Sequence, residues 1–490
     1  MSVLAIDAGT TGVTALVVTE DGRIESRGYQ EFAQHFPRPG WVEHNPEDIW
    51  QATLSACAAA LRGTRGTPAC VGITNQRETA VLWDRRTLAA PRRAIVWQDR
   101  RTAGVCERLR SAGHEPRVSE LTGLRLDPYF TGSKLTWLAE HDPRAWEGVT
   151  SGRVVVGTVD SYLIARLTAG ARHVTDPSNA SRTLLYGLES GTWEPELCEL
   201  FGVPEAALPE VVPNFGELGR TDPEAFLGLD LPISGVAGDQ QAALFGQTCY
   251  AVGEVKCTYG TGSFILTNTG GEIVRSESGL LTTVAWQAPS GERTYALEGS
   301  VFVTGAAVQW LRDGLGLIGT AAESEAIART VPDSGGVVFV PALTGLGAPH
   351  WDPDARGLIT GLTRGTTRAH LVRATLEAIA FEVRDVVEAS ADGWPTALRA
   401  DGGASGNDLL MQFQADQLGT PVERPVIQET TALGAAFLAG LGAGVWASPD
   451  ELRKTWRLDR RFEPGERDDA AYDRWREAVA LAMRGSSTAG

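Results

Sequence analysis

Lysine is nearly missing from this chain. It occurs at Lys134, Lys256 and Lys454 alone, whereas arginine is plentiful, and the skew is read as genomic base composition rather than function. No basic tract occurs and the net charge is −17, which argues against nucleic acid or an anionic membrane surface as the main partner. A phosphate ligand is still allowed, because backbone N–H groups and a metal ion can hold one. No apolar run reaches the roughly eighteen residues of a spanning helix, so membrane insertion is not expected. The N-terminus has no basic-then-apolar layout of a secretion signal and enters a strand at once, so the expectation is a cytoplasmic protein. The cysteines (Cys57, Cys70, Cys106, Cys198, Cys249, Cys257) form no CxxC pair and no His/Cys metal spacing, and are read as scattered reduced thiols. The GxxxxGK[ST] phosphate loop is missing too.

What is there is an ordinary globular balance, 43% hydrophobic and 21% charged over 490 residues. That length allows about two to four domains. Near the start, "IDAGTTGVT" (Ile6–Thr14) sets a Gly-Thr-Thr-Gly turn between two β-branched runs. A structural hairpin turn and an anion-holding loop are about equally good readings of it in isolation. Strand-like and helix-like segments then alternate: "ACVGITNQ" and "RVVVGTVD" read as strands, "PEDIWQATLSACAAALR" as a helix. Near residue 250 the pattern restarts with "GEVKCTYGTGSFILTNTG", again strand, Gly-Thr-Gly turn, strand. Thr10 and Thr261 thus sit in matching settings about 250 residues apart, a faint internal repeat suggesting two similar halves.

Further on, "HLVRATLEAIAFEVRDVV" predicts a strongly amphipathic helix with Leu371, Ala374, Thr375, Ala378, Ile379 and Val383 on its apolar stripe. "ALRADGGASGNDLLMQFQADQLG" reads as strand, Gly-Gly turn and helix, a layout that offers helix N-terminal N–H groups to a phosphate or nucleotide. "TALGAAFLAGLGAG" is a helix of small residues suited to close packing, and the "RGSSTAG" tail is expected to be disordered. The alternation argues for an α/β class.

Three loops share one character: Asp7–Gly12, Tyr259–Gly262 and Asp401–Gly406 each combine glycine with Asp or Thr at a strand end. Two opposed Gly-Thr hairpins and a third Gly-Gly loop suit a nucleotide clamped between halves. Their order resembles the sugar kinase/Hsp70/actin ATPase group. Within it, "YFTGSKLTWLAEH" and "GLITGLTRGTTRAHLVRATLE" resemble the two signatures of the FGGY carbohydrate kinases. "WVEHNPEDIW", "GITNQRET", "AIVWQDRRT", "DPYFTGSK", "AGDQQAALFGQ", "TYGTGSF" and "GLGAPHWDPDARG" resemble the glycerol kinases among them, from residue 5 to about residue 445.

That resemblance implies two ribonuclease H-like α/β domains, 1–247 and 248–490, with an interdomain active-site cleft. It implies ATP and Mg²⁺, glycerol as substrate, and a homo-oligomer, since such families often form dimers or tetramers. By the family's pattern, Arg77, Glu78, Tyr129, Asp239 and Gln240 would hydrogen-bond glycerol, with Trp97 and Phe264 packing on its carbons. Thr10, Thr11, Gly12, Thr261, Gly305, Gln309, Gly403 and Asn407 would contact ATP, and Asp7 would accompany Mg²⁺. Asp239 would be the general base. A triol offers hydroxyls and little apolar surface, so a selective pocket needs this mixture of donors, acceptors and water-excluding rings. Other outcomes remain open: a kinase for another polyol such as a pentulose, or a catalytically idle nucleotide-binding regulator.

Each residue also has a plainer alternative. Arg77 and Glu78 could be a surface ion pair, Asp239 a helix N-cap, and Trp97 and Phe264 core. His44, His350 and His370 are read as structural. Two departures from the family pattern stand out. The first loop usually reads Asp-Gln-Gly-Thr-Thr-Ser-Ser-Arg, but here Ala8 replaces glutamine and Thr14 replaces arginine. The Gly-Gly-Thr-Arg loop of members regulated by fructose 1,6-bisphosphate is absent before "GDQQ", where the chain reads "TDPEAFLGLDLPISG", so no inhibition by that effector is expected.

Overall fold

The computed structural model describes residues 1–390 and 395–484; residues 485–490 of the tail expected to be disordered lie outside them. Among the described residues two large sheets form the centre. The first is built from β1 (Ser2–Ala8), β2 (Gly12–Thr19), β3 (Ile24–Glu31), β4 (Cys70–Asn75), β5 (Phe215–Arg220) and β6 (Pro232–Gly238). Its order is β5-β6-β4-β1-β2-β3. The second is built from β7 (Val255–Tyr259), β8 (Ser263–Gly270), β9 (Leu281–Gln287), β10 (Arg293–Val301), β11 (Leu398–Asp401), β12 (Val422–Pro425) and β13 (Leu458–Phe462), in the order β9-β10-β8-β7-β11-β12-β13.

The internal repeat is visible in this topology. β1 pairs antiparallel with β2 and parallel with β4, while β7 pairs antiparallel with β8 and parallel with β11. In each sheet another parallel neighbour and an antiparallel edge strand complete that side: β6 then β5, and β12 then β13. Only β9 has no counterpart in the first sheet.

Strand β1 shows why the sheets read as continuous apolar runs. Leu4, Ile6 and Ala8 face one core, shared with helix α1 (Pro46–Arg62), while Val3 and Ala5 face a second. A strand covered on both faces has no polar side to show. Asp7 falls at its end, on the Val3 and Ala5 side by alternation. Asp7 is paired directly with Thr14 of β2, so the two side chains share a face.

Helix α2 (Asp239–Gly246) follows β6, and helices α3 (Arg368–Glu388) and α4 (Asp408–Leu418) cover the second sheet. Helix α5 (Thr430–Gly442) follows most of that sheet in sequence but lies on the first sheet, against β1, β4 and β6, and against α2. Its small residues explain how it gets there. A Cβ on Gly434 would stand 1.8 Å from the Ala242 carbonyl oxygen, and one on Gly72 would stand 2.1 Å from that of Ala435.

The apolar stripe expected for α3 is buried from Ala374 on, but so are its other faces: every residue from Ala374 to Val387 is buried. The sheet covers one side, while α4 and the C-terminal helix Asp469–Arg484 cover others, so its polar groups are buried; several are paired internally, whereas one Glu382 oxygen has no hydrogen-bond partner among the described residues. Arg384 donates to Glu388 and Gln417, and Asp385 accepts from Tyr472 and Trp475. All six cysteines are free and buried, as read from their spacing. Among the described residues no helix is long and apolar enough to cross a membrane. The segment standing in place of the Gly-Gly-Thr-Arg loop is a turn between β5 and β6, packed on buried Phe226, with Arg220 paired to Asp230 at 2.8 Å.

Candidate active site

Each hairpin turn is closed from its first glycine, the first by Gly9 N–H to Gly12 C=O at 3.0 Å across Thr10 and Thr11, the second, one residue tighter, by Gly260 N–H to Gly262 C=O at 2.9 Å across Thr261. Thr11 and Thr261 are exposed at their tips. Gly402, at a φ of 85°, begins the third loop so close to the second that a Cβ there would stand 2.6 Å from the Tyr259 carbonyl oxygen. Second and third loops therefore form one wall. A cavity of about 610 Å³ opens against it, and Thr261, Gly305, Gln309, Gly403 and Asn407 all line it. Arg312, Ser324 and Glu325 share the lining and were not singled out from the sequence. Asn407 is also the N-cap of α4, its side chain accepting the Leu410 N–H at 3.0 Å.

Thr10, Thr11 and Gly12 lie on the first loop, outside that lining. Trp97 ties the loop to the neighbouring aromatic wall: its Nε1–H donates to Thr10 Oγ1 at 3.0 Å, and its ring meets Tyr129 at 5.7 Å and Phe264 at 6.2 Å, edge-on.

The loop after β4 supplies the charges. Gln76 N–H donates to Ala8 C=O at 2.8 Å, and its side chain reaches the Gly9 carbonyl at 3.0 Å, locking this loop to the first hairpin. Glu78 has a φ of 60°, a left-handed backbone that costs a non-glycine residue about 1–3 kcal/mol and needs surrounding structure to hold it. Arg77 and Glu78 are buried, which rules out the surface ion pair. The Arg77 guanidinium donates to both oxygens of Glu298, to the Gln241 side chain and to the Tyr129 hydroxyl, and its Nε lies 3.1 Å from Asp239. Tyr129 is held in turn by Lys134, whose buried ammonium donates to the Pro128, Tyr129 and Phe130 carbonyls.

Asp239 is not the N-cap of α2; Gly238 holds that position and Asp239 is the first residue of the helix. Its carboxylate accepts from the Gln240 N–H at 2.7 Å. Its side chain keeps 27% exposure where Arg77 has 1%. Burial raises its carboxyl above the usual range, with Arg77 and Lys256 pulling the other way. Asp7 is pushed up to about 7, by burial and then by the Asp239 carboxylate. A carboxylate whose proton affinity is raised by a neighbouring carboxylate suits the company of a divalent cation. Among the described residues no group of three His, Cys, Asp or Glu side chains could hold a metal alone. An ion such as Mg²⁺ takes one or two carboxylates and completes its shell with waters and phosphate oxygens, and Asp7 and Asp239 are carboxylates of that kind.

Gln240 is mostly buried, its carbonyl accepting from Lys256 Nζ at 2.6 Å. Lys256, Arg182 and Glu298 are the site residues the sequence reading missed. A signal was present: Arg182 and Glu298 are charges isolated in apolar or small-residue runs, "NASRTLL" and "YALEGSV", and Lys256 is one of three lysines in the chain and stands inside a strand. Of the histidines read as structural, His350 Nε2 lies 3.4 Å from Asp385. His370 caps α3, and His44 lies against Gln76 at 3.3 Å.

A model for the N-terminal domain of the FGGY family of carbohydrate kinases matches residues 2–246, and the model for its C-terminal domain matches residues 255–443. The chain belongs to the FGGY carbohydrate kinases. This kinase is 53% identical over 495 residues to a glycerol kinase of Methylobacterium nodulans, covering 98% of each chain. It is 54% identical over 493 residues to one of Acidovorax ebreus, covering 98% of this chain and 99% of that one. The crystal structure of Plasmodium falciparum glycerol kinase with ADP matches it with a TM-score of 0.89 at 35% identity, covering 98% of both chains. The two repeated α/β sheets are thus the two domains of a ribonuclease H-like kinase fold.

Proposed function

We propose that this kinase transfers the γ-phosphoryl group of ATP to glycerol, giving ADP and sn-glycerol 3-phosphate. The observation that carries the reading is the cluster of buried Arg77, Glu78 and Tyr129 with the partly exposed Asp239, set against the Trp97 and Phe264 rings. It supplies donors, acceptors and an apolar wall on the scale of a small polyol. The curated glycerol kinases, similar over nearly their whole length, support the same substrate.

In this reading Arg77 and Tyr129 donate to glycerol hydroxyls, and Glu78, Asp239 and Gln240 complete the hydrogen-bonding shell. Trp97 and Phe264 exclude water along the carbons. Thr261, Gly305, Gln309, Gly403 and Asn407 hold the nucleotide in the 610 Å³ cavity, and Thr10, Thr11 and Gly12 face its phosphates. Asp239 Oδ takes the proton of the attacking hydroxyl as the oxygen–phosphorus bond forms and the γ-phosphorus bond to the bridging oxygen breaks, that electron pair leaving with ADP. The base contributes about 10² to 10⁴ in rate. Asp7 is the residue that would accompany Mg²⁺, which when bound supplies positive charge against the phosphate oxygens. The test is product identity: purified protein with Mg-ATP and glycerol should form sn-glycerol 3-phosphate in amounts equal to ADP. ADP release without that product, or no turnover on any polyol, would overturn the assignment.

A further inference from the structure

Glu298 sits inside β10, in a run where every other residue from Tyr295 to Val301 is apolar, small or a serine. It is fully buried and belongs to the second sheet, yet its partners belong to the first half of the chain. Its carboxylate accepts from Arg77 Nη1 at 2.5 Å and Nη2 at 3.0 Å, and from Arg182 Nη2 at 2.9 Å. Ser300 Oγ, two residues on, adds a fourth hydrogen bond at 3.0 Å. Arg182 Nε then donates to Glu78 at 2.8 Å. One unbroken series therefore runs Asp239, Arg77, Glu298, Arg182, Glu78. Besides the direct approach of Arg77 Nε to Glu78 at 3.8 Å, the charged side chains assigned to the polyol are thus joined through one carboxylate that reaches over from the other half.

Glu298 has no accessible surface and its oxygens are filled, so it does not meet substrate. What it fixes is direction. A guanidinium gripped at both Nη atoms leaves its Nε edge toward Asp239, and an Arg182 gripped at Nη2 holds Glu78 in its strained left-handed turn. We propose that Glu298 is the positioning residue of the polyol site, orienting Arg77 directly and Glu78 through Arg182, so that polyol affinity depends on the second half being seated against the first. Burial alone would raise its carboxyl, but Arg182 and Arg77 outweigh that and hold it at about 2, so it stays an anion across working pH. The inference rests on the reading of Arg77 and Glu78 as polyol partners.

A merely structural ion network and a positioning one differ in what their loss changes. Glu298→Gln keeps size and one acceptor oxygen but removes the charge that orients two guanidinium groups. The expected result is a KM for glycerol raised at least about tenfold, with KM for ATP within about twofold of the parent. Glu298→Asp, which keeps the charge one methylene further back, should fall between. Ser300→Ala removes one hydrogen bond and leaves the charge, and should raise the glycerol KM by about two- to threefold. It carries the test if the glutamine variant fails to fold. Equal rises in both KM values, or an unchanged glycerol KM in a folded variant, would overturn the proposal. Should the parent prefer another polyol, the substrate reading fails while the same KM split, measured with that polyol, still decides the role of Glu298.

Discussion

Asparagine at position 239 separates binding from chemistry better than any other change in this cleft. The amide keeps the shape of the side chain and the acceptor for the Gln240 N–H at 2.7 Å. It loses the negative charge and the ability to take a proton. Binding should change little, because Arg77 Nε at 3.1 Å faces the same Oδ1, which the amide keeps without its charge, and Arg77 keeps both bonds to Glu298. One altered hydrogen bond is worth about 0.5–1.5 kcal/mol, so the KM for glycerol should move by less than about tenfold. The chemical step loses its base, about 10² to 10⁴ in kcat, or about 3–5 kcal/mol of barrier. Coupled detection of ADP release reads both constants. The parent should also lose activity on the acid side as Asp239, raised by burial, takes up a proton; the variant should lack that limb. A folded Asp239→Asn protein with kcat within tenfold of the parent would refute the assignment.

Further outcomes follow from other parts of the molecule. Thr14 shares a face with Asp7 across β1 and β2, so Thr14→Arg should lower the KM for ATP by adding a charge-assisted bond of about 1.5–3 kcal/mol to phosphate; an unchanged KM in a folded variant would mean another group already fills that role. Gly434→Ala puts a methyl 1.8 Å from the Ala242 carbonyl, and should cost about 1–3 kcal/mol or more of stability in denaturant unfolding; it should also reduce kcat, because α2 carries Asp239. His44 is held neutral, its pKa lowered by burial to about 4. Its folded pKa lies below the unfolded one, so the stability it contributes is full above about pH 6.5 and lost as pH falls toward 4. Comparison with His44→Gln should show the parent losing up to about 1.4 kcal/mol more per pH unit in that window; parallel curves would contradict it.

The fold was legible where local pattern and tertiary environment agree. The Gly-Thr hairpins, the helix at 46–62 and the strand–turn–helix from 398 to 418 all form as their residues suggest. Helix α3 was misread because its stripe is real but its other faces are buried as well, and sequence periodicity cannot report what packs on a polar side chain. The small-residue helix was read correctly as close-packing, yet nothing in "TALGAAFLAGLGAG" says that its partner is the first sheet. At the site, Arg77, Glu78, Tyr129, Asp239, Trp97 and Phe264 come together around the cleft. Glu298 and Arg182 escaped because their importance lies in partners more than a hundred positions away. For Glu298 a lone charge within an apolar strand was the available clue, and for Arg182 a lone charge in a turn of small and apolar residues.

In the proposed reaction this cleft takes a three-carbon polyol. The most direct measurement is the ratio of kcat/KM for glycerol to that for xylulose, taken side by side at saturating Mg-ATP. With Trp97, Phe264 and Tyr129 closing around Arg77 and Glu78, glycerol should be preferred at least about tenfold. An equal or better value for xylulose would contradict the account.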